Sequence, residues 1–437
     1  MVEKVNDPKP AVLTGLKRKI SRREFVSKSI SLSAGLTALS SAPIVFAKQR
    51  FRIRVLGTHV TLQEELRLQA EKDLGIEIIF EPGGSAQVLH KASTRPETFD
   101  LYEQWSNSIN VLWAAGAIQS IETKRLHYWD EINNLTKTGK LTQEAKVGRG
   151  DAPYKLLFVQ RNGKLSANPT SKISFLPYVH NVDSIGYNTA VIPKGIPYET
   201  ESWGWLFDEK YRGNVALVNA PTIGIFDAAL AAEAQGLMKF KDMGNMTREE
   251  IDTLFRILIE LKQNGHFRGV WTSVPQSVEF MMRDGVAVES MFSPGVAALN
   301  GKGIRCVYAA PKEGYRAWHG VMCLSSKTTG AVKDAAYAYM NWWLSGWPGA
   351  FIARQGYYIS TPHLSEKYLS EDEWNYWYAG KPTKTVLKNT FGEEAIQAGE
   401  MRTGGGYENR FSRVAVWNTV MDNYEYSLLK WGEFLAS

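Results

Sequence analysis

Apolar and basic residues alternate in the run FRIRVLGTH, with Phe51, Ile53 and Val55 on one side, which predicts a strand with one buried face. The following TLQEELRLQAEKDLG places Leu62, Leu66 and Leu74 at roughly helical spacing and ends on Gly75, a helix stop. IEIIFEPGG then predicts a second strand, broken by Pro82 and two glycines. A strand, a helix and a strand in close succession predict a parallel crossover. The rhythm returns in TFDLYEQW, the helix SINVLWAAG and AIQSI, and again in GNVALVNAP with the helix IFDAALAAEAQG. The fold class is therefore α/β, with more than one such unit. The polar run TKTGKLTQEAKVGRGDAPYK, residues 136–155, predicts a surface excursion. Ligands of open α/β sheets gather beyond the carboxyl ends of the strands. That rule singles out the loops 57–59, 104–107 and 219–222, and within them Thr58, His59, Trp105, Ser106, Asn107 and Thr222.

The first 47 residues have a different character. A polar, Lys-rich stretch leads to SRREF, with Arg22 and Arg23 adjacent, and then to the weakly apolar SISLSAGLTALSSAPIVFA, which ends on Ala47 after Val45 and Phe46. This three-part layout is that of an export signal cleaved after Ala47. With its serines, its threonine and Pro43 the segment is too short and too polar for a comfortable membrane span. The Ser-Arg-Arg-x-Phe phrase resembles the twin-arginine class, which implies a twin-arginine translocase as a partner during export.

Removing this leader changes the charge balance. It holds eight of the 51 Lys and Arg and three of the 45 Asp and Glu, which leaves 43 basic against 42 acidic residues. A near-neutral mature chain gives no reason to expect nucleic acid or an anionic membrane as partner. Its length and aromatic content suffice for more than one core. The two cysteines, Cys306 and Cys323, lie far from the leader, so no lipid-modified N-terminal Cys is expected. An exported, unlipidated chain suggests a periplasm, where Cys306 and Cys323 either pair or stay as buried thiols.

Longer phrases then become recognisable in order: TFDLYEQWSNSINVLWAAGAIQSIE, LPYVHNVDSIGYNTAVI, SWGWLFDEKYRGNVALVNAP, MMRDGVAVESMFSPGVAAL, YAAPKEGYRAWHGVMCLSS and AAYAYMNWWLSGWPGAFIARQGYYISTP. Together they resemble the periplasmic solute-binding proteins of ABC importers, in the branch that includes spermidine- and putrescine-binding proteins. The resemblance implies a type II, two-lobed α/β fold joined by crossing hinge strands. It places one lobe at 51–182 and 319–360 and the other at 187–316 and 363–437. It further implies a small-molecule ligand in the cleft, a membrane permease as partner, a monomer, and hinge closure as the signal that the site is filled.

Matched residue by residue, the resemblance puts Trp105, Ser106 and Asn107 at the mouth of one lobe and Phe292 and Ser293 at a position where relatives often carry Trp. Trp318 falls on a ligand-stacking tryptophan, and Tyr357 on a tyrosine before a turn. Converging ring faces hold alkyl groups and attract cations, at about 0.5–2 kcal/mol each. Trp342, Trp343, Trp374 and Trp377 read instead as packing residues. The carboxylates that clamp ammonium groups in polyamine binders are absent: Gly320, after His319, stands at one position, and NAPTIG at the other. A buried dication without carboxylates is heavily penalised. Asp183 and Glu289 remain close to cleft segments, and each would serve either as the counter-charge of one cation or as a hinge hydrogen-bonding residue. The expected ligand is therefore a small cation or zwitterion, such as a betaine or modified amino acid.

The seven histidines form no metal-binding pattern, and no nucleophile elbow, Walker loop or dinucleotide fingerprint is present, so neither catalysis nor a cofactor is expected. Carboxylate pairs such as Glu249–Glu250 and Glu393–Glu394 read as solvated faces. Two alternatives stay open. Tyr357–Tyr358 with His59 or His319 could hold ferric iron, although neighbouring strand residues point to opposite faces. An exported binding protein could also present its ligand to a membrane sensor rather than an importer.

Overall fold

The computed structural model describes residues 51–437 except Asp151. Arg22, Arg23 and Ala47 lie outside the described residues. The alternating run forms β1 (Arg52–Gly57), with Ile53 and Val55 buried. The helix α1 (Glu64–Leu74) opens with Glu64 and Glu65, whose charges suit a helix N-terminus. It stops at Gly75, which takes φ +66 and donates its amide to the Glu71 carbonyl. The strand β2 (Glu77–Pro82) pairs in parallel with one edge of β1, and β3 (Leu101–Trp105) with the other.

The remaining main strands are β4 (Leu176–Asn188), β5 (Val215–Val218), β6 (Phe267–Trp271), β7 (Val288–Met291), β8 (Cys306–Tyr308), β9 (Tyr315–Ser325), β10 (Tyr358–Ile359) and β11 (Val414–Trp417). They join one twelve-stranded sheet in the order β6-β5-β7-β4-β9-β3-β1-β2. The strands β8 and β10 pair with β4, while β11 and the short strand Ile118–Gln119 pair with β9. Two long strands make the junction. The N-terminal part of β4 pairs antiparallel with β9, and its C-terminal part, from Ser184 to Tyr187, pairs with β7. Every residue of β9, and every residue of β4 but Asn188, is buried. Both strands are therefore covered on both faces, and their sequences mix apolar residues with buried polar ones such as His180, Asp183, Arg316 and His319 instead of alternating.

Two large hydrophobic clusters flank this junction. One gathers residues such as Ile53, Leu66, Leu101, Leu324 and Trp343; the other gathers Tyr187, Leu217, Phe226, Leu254 and Trp431. In the second, the helix α2 (Pro221–Ala234) is apolar almost all round and buried from Ile223 to Ala232. It starts four residues before the predicted IFDAAL run, because Pro221 fits the first helical position. The amphipathic α3 (Arg248–Gln263) begins with a Thr247–Glu250 capping box, so Glu250 serves the helix end. A third cluster, with Tyr315, Tyr358, Tyr407 and Trp417, packs beneath the crossing strands.

Segment 136–155 departs from its expected role as a surface excursion. Thr136, Ala145 and Ala152 are buried, Arg149 bridges to Val416, and Gly150 packs tightly against Gly244. Cys306 and Cys323 are separate buried thiols, the first beside Met291 and the second within β9, so the disulfide option is not realised. No helix among the described residues is long and apolar enough to cross a membrane.

Candidate functional site

The strand ends converge where the two halves of the sheet meet. Trp105 ends β3, Trp318 lies within β9, Tyr357 precedes β10, and Phe292 follows β7 as the cap of the helix α4 (Ser293–Gly301). With Val60, Ile223, Asp183 and Asn418 they line a small cavity. Trp318 and Tyr357 meet edge to face at 5.4 Å, and Phe292 is buttressed by Trp271 in the same manner at 5.1 Å. Trp105 packs on the first large cluster and also on the small cluster holding Ile223, Trp271 and Phe292, so it touches both sides. An adjoining cavity shares Val60, Trp105 and Trp318 and adds Thr58, Thr61, Gln104, Tyr178 and Gly320.

Asp183 is the one carboxylate on the wall of the first cavity. Its Oδ2 meets Arg316 Nη1 at 3.2 Å, and its Oδ1 accepts from the Tyr308 hydroxyl at 3.1 Å and from Asn181 Nδ2 at 3.3 Å. Arg316 also reaches Asp227 Oδ1 at 2.5 Å and Asn418 Oδ1 at 3.2 Å. These groups are almost wholly buried. Burial raises the pKa of Asp183 against the opposing pull of Arg316, and pushes that of Asp227 up to about 6. Ionised, two carboxylates against one guanidinium leave one net negative charge behind the aromatic walls. Beside the second cavity, Glu103 Oε2 accepts from Thr61 at 2.6 Å and from the Tyr178 hydroxyl at 2.9 Å. Burial pushes its pKa up to about 7.

The structure thus brings Trp105, Asp183, Phe292, Trp318 and Tyr357 together, with Thr58 next door. Ser106, Asn107, Thr222 and Ser293 sit in flanking turns and first helical turns without lining either cavity. His59 is exposed on its loop. His319 points away, because it neighbours Trp318 on a strand. It hydrogen-bonds Thr136 and the Gly320 carbonyl, lies tilted against the His180 ring at 4.9 Å, and burial lowers its pKa to about 4. Glu289 is likewise turned away, toward the side of Met291 and Cys306. Neither of its oxygens has a partner, and burial raises its pKa well above the usual carboxylate range. Tyr358 opposes Tyr357 across β10 and meets Arg402 and the Trp377 carbonyl, which separates the two phenols. Among the described residues no three His, Cys, Asp or Glu side chains gather as a metal site.

The missing clamp carboxylates have a local explanation. At Gly320 an added Cβ would come within 3.0 Å of the Val179 carbonyl. At Gly224 the space is taken by the Trp431 indole, whose N–H donates to Asn219 Oδ1 at 2.9 Å. Val60, Ile223, Asn418, Arg316 and Asp227 were not foreseen. Asn418 directly follows β11, so the strand-end rule applied to VAVWN would have found it.

Comparison with solved structures gives long, low-identity matches to two-lobed periplasmic binding proteins. The spermidine/putrescine ABC transporter substrate-binding protein PotD of Streptococcus pneumoniae is 14% identical over 88% of this chain and 99% of its own, with a TM-score of 0.58. The Tp0655 (TpPotD) lipoprotein of Treponema pallidum is 11% identical, covering 88% and 100%, also at 0.58. The PBP AgtB from A. tumefaciens R10, in complex with agropinic acid, is 11% identical, covering 89% and 99%, at 0.56. No curated protein sequence matches. A family model described as bacterial extracellular solute-binding protein matches residues 67–379. This chain is therefore a member of the bacterial extracellular solute-binding protein family, whose members bind solutes and are not enzymes.

Proposed function

We propose that the protein captures a small organic cation or zwitterion outside the cytoplasm and delivers it to an ABC transporter permease. In this reading, 51–182 with 319–360 forms one lobe and 187–316 with 363–437 the other. The observation that carries it is the convergence of Trp105, Phe292, Trp318 and Tyr357 on a cavity walled by a single carboxylate. Ring faces grip alkyl groups and positive charge. The Asp183–Arg316–Asp227 group offers one net negative charge, which suits one cationic centre. A second buried ammonium would lack its counter-charge and be strongly disfavoured. Trp318 and Tyr357 are each 3% exposed, so a ligand enters only when the walls part. In this reading the walls part and close at the β4–β9 junction, and closure is the message to the permease.

Proteins of the same fold include a spermidine/putrescine ABC transporter substrate-binding protein and a binding protein in complex with agropinic acid. The fold thus accommodates different solutes, and the site decides. Ferric iron is the weaker reading, because Tyr357 and Tyr358 face opposite sides of β10. Presentation to a membrane sensor would use the same cleft and differ only in the partner. Export as a monomer to the periplasm by the twin-arginine route, with cleavage after Ala47, completes the proposal. A melting-temperature screen of the mature protein against amines, betaines, amino acids, sugars and ferric iron tests it. A monocation or zwitterion at a hundred times its Kd should add about 2.7 kcal/mol, and saturating spermidine little. Stabilisation confined to sugars, to ferric iron or to spermidine would refute the reading.

A further inference from the structure

The cavity wall contains a buried polar group that the protein itself leaves unmatched. Asn418 is 2% exposed and lines the cavity. Its Oδ1 accepts from Arg316 Nη1 at 3.2 Å, which fixes the orientation of the amide and directs Nδ2 elsewhere. Nδ2 is buried and has no hydrogen-bond partner. Arg316 Nη2 and Asp227 Oδ2 are also unpartnered, but neither residue lines the cavity. A buried amide N–H left unsatisfied is destabilising by about 1–3 kcal/mol, and buried donors in native proteins are nearly always matched.

We infer that Asn418 is a specificity-determining residue whose Nδ2 donates to an acceptor oxygen of the ligand, so that the solute is a zwitterion rather than a bare cation. This rests on the cation reading above and narrows it. Rings and the net negative charge of the Asp183–Arg316–Asp227 group hold the positive end, and Asn418 reads a carboxylate or carbonyl at the other. Arg316 holds Asn418 in place. Its own charge is spent on Asp183 and Asp227, so the ligand's acceptor needs the amide donor. The residue acts by hydrogen bonding alone, and no bond is made or broken.

The test compares glycine betaine with isobutyltrimethylammonium, which keeps the trimethylammonium head and a similar outline but has no oxygen. Titration calorimetry is run on the full mature protein and on Asn418→Asp, which preserves the acceptor toward Arg316 and replaces the NH2 by oxygen. The expected result is that betaine binds the native protein about tenfold or more tighter than its oxygen-free counterpart, and that N418D abolishes or reverses that preference while still binding the cation. Equal affinity of the two probes for the native protein would overturn the role of Asn418 and leave the cation reading standing. A preference that survives unchanged in N418D would overturn it too. Failure of both probes to bind would overturn the cation reading itself, and this inference with it.

Discussion

Replacing Glu103 by Gln should stabilise the protein at alkaline pH and change little in mild acid. Glu103 is fully buried in β3, with two hydroxyl donors on Oε2 and no partner on Oε1. Burial is the dominant influence on its pKa and pushes it from 4.5 to about 7, the Thr61 and Tyr178 hydroxyls opposing the rise. A folded-state pKa above the unfolded one means the native state holds its proton more tightly. The resulting stabilisation is complete below pH 4.5 and is lost as pH rises through about 7. At about 1.4 kcal/mol per pH unit, the difference amounts to about 3 kcal/mol. Gln carries the neutral state at every pH, its oxygen can keep both hydroxyl donors, and its amide faces the nearby Tyr339 hydroxyl, which is otherwise unpartnered. Urea unfolding followed by tryptophan fluorescence, for both proteins between about pH 4.5 and about pH 8.5, measures the difference. Its growth toward about 3 kcal/mol in favour of Glu103→Gln is expected. A difference that stays flat with pH, or runs the other way, would refute the account of this group.

Gly356 has φ +82, and an added Cβ would approach Ser293 Oγ to 1.8 Å, so Gly356→Ala should destabilise by about 2 kcal/mol or more in denaturant unfolding. Because Gly356 precedes Tyr357, the same variant should also weaken ligand binding. Cys306 and Cys323 are buried thiols whose pKa values burial raises, so a thiol reagent should find neither in the native protein and both after unfolding without reductant. Finding none after unfolding would establish a disulfide. Changing Arg22 and Arg23 together to Lys should hold the precursor in the cytoplasm, as cell fractionation would show; normal export would exclude the twin-arginine route.

Most of the architecture was legible because its signals are local. Alternation marked β1, Gly75 marked the end of α1, and the apolar runs marked the buried strands. The aromatic wall was legible through the family resemblance, since no periodicity connects Trp105, Phe292, Trp318 and Tyr357. His319 could have been set aside from sequence, because it is adjacent to Trp318 on a strand and the two cannot share a face. The Asp183–Arg316–Asp227–Asn418 network could not have been read this way. It draws on two strands, a helix and a loop far apart in the chain, and single-sequence patterns carry no information about such meetings. Glu289 was hard to place for a related reason: the face it presents depends on the packing of Met291 and Cys306 behind it.

The most direct test of the central claim is the affinity of Trp105→Ala for the tightest-binding solute found in the melting screen. Trp105 is half-buried and contacts both sides of the cavity, so its removal should disturb the grip more than the fold. The account predicts a loss of about tenfold or more in affinity, equivalent to about 1.4 kcal/mol, with the ligand-free melting temperature close to that of the native protein. Unchanged affinity in the folded variant would contradict it.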